Sequence, residues 1–247
     1  MLDGNRNPTW QEEQPEVCSD CVTYAKSKIK FNTFNTFNNV ETKRKYTDEP
    51  GSDKGVIHLI INKFRGSIFP FCCKNQYDLD TVPVATVEDL KAVHTVMLTG
   101  GEPFVVPGII EFCSHLRFDY PNIKQLYVCT SGYEMSCHDE LAFDPYYLSR
   151  NVDGICFSPK IEIDYKAIKK MLTNSNFAIE FFIHARSNRI ILMPNDFMTR
   201  EEQEKFIESL HLKGLAFYGA KFEVEYREWQ EEFKPNGGVW RRLPVFL

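Results

Sequence analysis

The sequence predicts an α/β fold built on a mostly parallel sheet, and three observations carry that reading. Short continuous apolar runs recur along the chain, as strands buried on both faces require. Amphipathic or capped segments separate most of them, the pattern of repeated strand–helix units with right-handed crossovers. One apolar run, 95–98, leads directly into Thr99-Gly100-Gly101-Glu102-Pro103, ahead of a helix. That handover from strand to helix is where α/β folds place their ligands.

Taken in order, residues 56–61 form the first strand and 87–93 a short helix. The second strand is 95–98. Pro107 and Gly108 open a helix to about Phe118, with Ile109, Ile110, Phe112, Cys113 and Leu116 on one face. Residues 125–129 are the third strand, followed by Thr130-Ser131-Gly132. A brief helix over 144–150 has Pro145 in its first turn. The fourth strand, 154–157, ends in Ser158-Pro159-Lys160, and a helix spans 165–172 with Ile168 and Met171 on one side. Residues 178–183 read as a fifth strand and 190–193 as a sixth. The polar Ser187-Asn188 turn between them leaves no room for a helix. Thr199 and Glu202 make a capping box for a helix to about Leu212, with Gly214 as its stop signal. The last strand, 222–226, alternates Phe222, Val224 and Tyr226 with Glu223 and Glu225, as a one-sided strand does. The tail from Asn236 to Arg242 mixes aromatic and basic groups, and either packs back on the sheet or meets a partner.

Composition sets bounds on function. The chain has 247 residues, a formal net charge of −5 and 43% hydrophobic residues, as a soluble globular protein does. That charge disfavours nucleic acid as a general partner. No apolar run approaches a membrane span, and the first residues carry no apolar signal core. A cytoplasmic location is expected, where the eight cysteines are thiols or metal ligands. Residues 1–54 differ from the rest: they hold Cys18 and Cys21, an Asn-rich stretch and a charged run, and read as an N-terminal extension. Residues 55–247 make the main domain.

Glycines let a ligand approach the backbone, and a glutamate offers a carboxylate to a cationic group. The full Thr-Gly-Gly-Glu-Pro after a strand resembles the radical S-adenosylmethionine (SAM) superfamily, where this motif holds the amino end of SAM. The resemblance implies a partial, open TIM-type barrel with the ligand at the C-terminal ends of its strands. It places Thr99, Gly100, Gly101, Glu102, Ser131, Ser158 and Lys160 at the SAM site. Ser158-Pro159-Lys160 and Met193-Pro194 are similar to motifs of the 7-carboxy-7-deazaguanine synthases in that superfamily. Those enzymes use SAM, an iron–sulfur cluster and magnesium to contract a pterin ring. The likeness covers about residues 56–226. It implies a deazapurine or other small, nucleotide-like substrate and a lyase- or synthase-type reaction wherever a cluster assembles. A homodimer is the further partner expected.

Radical SAM proteins bind a 4Fe–4S cluster through Cys-x3-Cys-x2-Cys after the first strand, since thiolates suit iron–sulfur clusters. Aligned on Phe69-Pro70-Phe71-Cys72, this chain keeps the third cysteine as Cys72 but has Phe69 and Arg65 in the other two places. Neither can ligate iron. Three readings follow. The cluster is lost and the fold serves as a ligand- or protein-binding module; or Cys18 and Cys21 join Cys72 or Cys73 to rebuild a cluster or a zinc site; or the loop is displaced relative to active relatives. Cys113, Cys129 and Cys156 lie in apolar runs and read as small buried hydrophobes. Cys137, beside His138, is a candidate ligand or nucleophile.

Overall fold

The computed structural model describes residues 44–45, 53–61, 77–137, 144–173, 177–193, 198–227 and 237–244. Cys18, Cys21, Arg65, Phe69, Cys72, Cys73, His138 and Pro194 lie outside the described residues. Most of the expected N-terminal extension does too.

Seven parallel strands make one sheet: β1 (Val56–Ile60), β2 (Thr95–Thr99), β3 (Gln125–Thr130), β4 (Gly154–Phe157), β5 (Asn188–Leu192), β6 (Phe222–Tyr226) and β7 (Val239–Arg242). Their spatial order is β6-β5-β4-β3-β2-β1-β7. The first six are neighbours in chain order, each step a crossover in the same direction. Right-handed crossovers repeated one way stack their helices on one side of the sheet. The helices are α1 (Val87–Ala92), α2 (Ile109–Asp119), α3 (Tyr133–Cys137), α4 (Pro145–Asn151), α5 (Glu162–Thr173), α6 (Arg200–Ser209) and α7 (Leu212–Phe217). The main core joins Leu98, Val128, Phe157 and Ile190 of the strands to Ile110, Leu148, Ile168 and Phe206 of the helices. Strand residues of the opposite parity, Met97, Tyr127, Cys129 and Arg189 among them, stay outside that core. The sheet thus has a helix-packed face and a second face. It does not close, since β6 and β7 stand at opposite edges. This open, singly wound parallel sheet is consistent with a partial barrel.

Outside the main sheet, Arg44–Lys45 pairs in parallel with Tyr77–Asp78. At the β7 edge, the Ala85 amide donates to the Arg242 carbonyl at 2.8 Å, and the Arg242 amide donates to the Pro83 carbonyl at 3.0 Å, across the loop before α1. Trp240 lies opposite His58 in register and stacks on it, with ring centroids 4.7 Å apart and planes 7° apart. The adjacent Arg241 guanidinium reaches Asp89 on α1 at 3.3 Å. So the aromatic and basic tail is a sheet strand, the first of the two alternatives.

Two expectations are corrected. Residues 178–183 are not a strand: Ala178–Phe182 is a wide helical turn. A strand would send the adjacent Phe181 and Phe182 to opposite faces. The turn instead buries both in the one core and leaves Ile179 58% exposed. With α5 it forms the β4–β5 crossover, so no crossover is missing. Gly214 is not the helix stop either, because it sits inside α7. The break falls at His211, whose φ of 51° is left-handed, a region that histidine enters more readily than most residues.

Candidate functional site at the strand ends

Parallel strands deliver their C-terminal ends to one edge. Thr99, Thr130, Phe157 and Leu192 end β2, β3, β4 and β5 there. Gly100, Ser131 and Ser158 follow three of them directly, as the sequence pattern requires. Gly100 adopts φ 96° and Gly132 φ 98°, left-handed values that suit glycine. A Cβ on Gly132 would also come within 2.8 Å of Ile168.

Glu102 organises this edge. It is 1% exposed. Its Oε1 accepts from the Thr130 hydroxyl at 2.7 Å and from the Phe104 amide at 3.2 Å. Its Oε2 accepts from the Ser131 amide at 3.0 Å. A buried carboxylate without such donors would be strongly destabilising. The same side chain caps the short helical turn Pro103–Val105. Glu102 therefore braces the Gly-Gly turn against the end of β3. The Thr130 hydroxyl also accepts from the Gly132 amide at 3.0 Å, which draws the next turn into the same network.

The end of β4 is held in a comparable way. The Ser158 amide donates to the Thr130 carbonyl at 2.8 Å. Lys160 Nζ donates to Ser158 Oγ at 2.6 Å, so the two expected ligand residues are paired. The Lys160 and Ile161 amides donate to Asp164 Oδ2 in the first turn of α5, at 2.9 and 3.2 Å. Thr99, Gly100, Gly101, Glu102, Ser131, Ser158 and Lys160 thus all fall on loops or strand ends at this one edge. The expected metal ligands Cys18, Cys21, Cys72 and Cys73 fall outside the described residues. Among the described residues, no group of three or more His, Cys, Asp and Glu side chains is arranged to hold a metal.

The second face carries polar groups that the sequence reading did not gather. Cys129 of β3 and Cys156 of β4 are register partners, and Cys156 is in turn the partner of Arg189 on β5. Arg189 donates to Glu223 on β6 at 2.7 Å, and Arg227 donates to Glu225 at 2.7 Å. The neighbouring Cys129 thiol lowers the Cys156 pKa against the effect of burial, with Arg189 and Arg227 helping. The Cys156 thiol and burial push Cys129 well above the usual thiol value. Cys113 and Cys156 are both buried, as expected of small hydrophobes, and Cys129 is partly buried. Cys113 packs in the helix-side core, where burial raises its pKa to about 12. Parity places Cys129 on the second face, since it alternates with the core residues Leu126 and Val128.

No protein-family model matches the chain, and no curated protein matches it.

Proposed function

We propose that the protein is a radical-SAM-like scaffold that binds S-adenosylmethionine, or a related amino-acid nucleoside, at the C-terminal edge of its sheet. The observation that carries this reading is the tie from Glu102 to Thr130 and Ser131. It fixes a glycine turn and the adjoining strand end side by side, where backbone groups of Gly100, Gly101 and Ser131 can meet a polar ligand. Lys160, held by Ser158, brings a cation for a carboxylate. The second face offers Tyr127, Arg189 and Arg227 to a small nucleotide-like substrate. In this reading Glu102 acts through the turn that it holds.

Radical SAM chemistry draws one electron from a 4Fe–4S cluster into the SAM sulfonium. Arg65 and Phe69 stand in two of the three thiolate places, so the cluster loop does not fit that group. The proposed activity is accordingly binding without cleavage by the chain alone. The test is reconstitution with iron and sulfide, followed by an assay for 5′-deoxyadenosine. Neither the wild type nor a Cys18→Ser/Cys21→Ser variant should release it. Turnover by the wild type alone would make the N-terminal pair cluster ligands. Turnover by both would show that the cluster loop has been misplaced.

A further inference from the structure

We propose that Cys129 and Cys156 form a two-thiolate site for a soft monovalent metal ion of the copper(I) class, on the second face of the sheet. The two side chains are register partners on adjacent parallel strands and project from the same face. Cys156 is 6% exposed and Cys129 is partly buried, so the pair is sheltered on the second face. Adjacent parallel strands stand about 4.8 Å apart, and side chains in register leave them side by side. A disulfide wants its Cβ atoms nearer, at about 3.8 Å. Side chains at the strand spacing can set two sulfurs on either side of one ion. Directly paired thiols on parallel strands can therefore hold an ion between them without closing to disulfide Cβ distance.

The donor set narrows the ion. Among the described residues, the pair belongs to no group of three or more metal-ligating side chains. Zinc takes four ligands, whereas soft thiolates select copper(I). Two thiolates around one monovalent ion leave a net negative charge, which the Arg189 and Arg227 guanidinia favour at Cys156, each of them also paired with a glutamate, Glu223 and Glu225. Glu225 opposes them at Cys156, and Glu102 opposes Arg227 at Cys129. On binding, each thiol gives its proton to solvent as its sulfur–copper bond forms, and the copper stays monovalent. Thr130, next to Cys129, donates to Glu102, so the site sits directly below the braced turn.

The experiment titrates copper(I) anaerobically into reduced full-length chain carrying Cys18→Ser, Cys21→Ser, Cys72→Ser and Cys73→Ser, in competition with a copper(I) chelator. One equivalent should bind, with two sulfur neighbours in its X-ray absorption. Adding Cys129→Ser or Cys156→Ser should abolish that equivalent, whereas Cys113→Ala should keep it. Circular dichroism checks that each variant folds, and Cys129→Ala and Cys156→Ala replace any serine variant that does not. A four-serine chain that binds no copper would overturn the proposal, as would retention of the equivalent without Cys129 or Cys156. Ready formation of a Cys129–Cys156 disulfide with oxidised glutathione would overturn the geometric argument for it.

Discussion

The Thr130 hydroxyl donates to the buried Glu102 carboxylate at 2.7 Å. With the Ser131 amide bond to the same carboxylate, this bond ties the turn after β2 to the end of the neighbouring strand β3. Glu102→Ala should lower stability by about 3 kcal/mol, because it leaves the hydroxyl and two amides without their acceptor. Thr130→Val should cost about 2 kcal/mol, since it removes the charge-assisted bond to Glu102 and the acceptor of the Gly132 amide. Urea denaturation checks both. A loss below about 0.5 kcal/mol in Glu102→Ala, the range of ordinary surface substitutions, would remove Glu102 from its bracing role.

Trp240→Ala should destabilise the protein by roughly 3 kcal/mol, the usual scale for emptying a buried aromatic site. Trp240 is 6% exposed and stacks on His58. Hydrogen exchange should show faster exchange at Ala85 and Arg242, whose amides bond across the β7 edge. Unchanged exchange there would mean that β7 is held without its tryptophan.

Gly154→Ala should be strongly destabilising. A Cβ on Gly154 would lie 1.7 Å from the Ser187 carbonyl oxygen, which is backbone and cannot swing away. β4 or the turn into β5 must shift, at a cost of about 3 kcal/mol or more. A thermal melt within 2 °C of wild type would contradict the close approach described there.

Asp89 gives a pH-dependent contribution. Burial raises its pKa, but hydrogen bonds from Thr86 and the Arg241 guanidinium bring the net value below the ordinary 3.8. A carboxylate depressed in the folded state stabilises above its unfolded pKa and loses that contribution as pH falls through its folded value. Asp89→Asn should therefore destabilise at neutral pH by about 0.5 kcal/mol, since the pair is partly exposed and screened. The difference from wild type should shrink steadily below pH 3.8. Denaturation curves across that range check the sign; a gap that widens in acid would reverse it.

Much of this architecture is legible in the sequence. The runs at 56–61, 95–98, 125–129, 154–157 and 222–226 became β1, β2, β3, β4 and β6, because a strand buried on its helix side must be apolar. The Gly-Gly turn and the serine turns after β3 and β4 met at one edge, since parallel direction leaves no alternative. What failed was local. The run at 178–183 is as apolar as a strand, and only its tertiary surroundings made it a helical turn, with Phe181 and Phe182 in one core. Trp240 and its neighbours are too polar to read as a strand; β7 forms because His58 and Asp89 supply partners distant in sequence. The inward bonding of Glu102 depends on Thr130 and Ser131, which lie on another strand end. No spacing within the Gly-Gly-Glu-Pro motif encodes it.

The central claim is that the braced edge binds SAM, and calorimetric titration of the full chain with SAM tests it most directly. Wild-type protein should bind, and Glu102→Gln should weaken binding roughly tenfold, equivalent to about 1.4 kcal/mol, by loosening the Gly100–Gly101 turn. Absence of binding by the folded wild type, or equal affinity in a folded Glu102→Gln variant, would contradict the account.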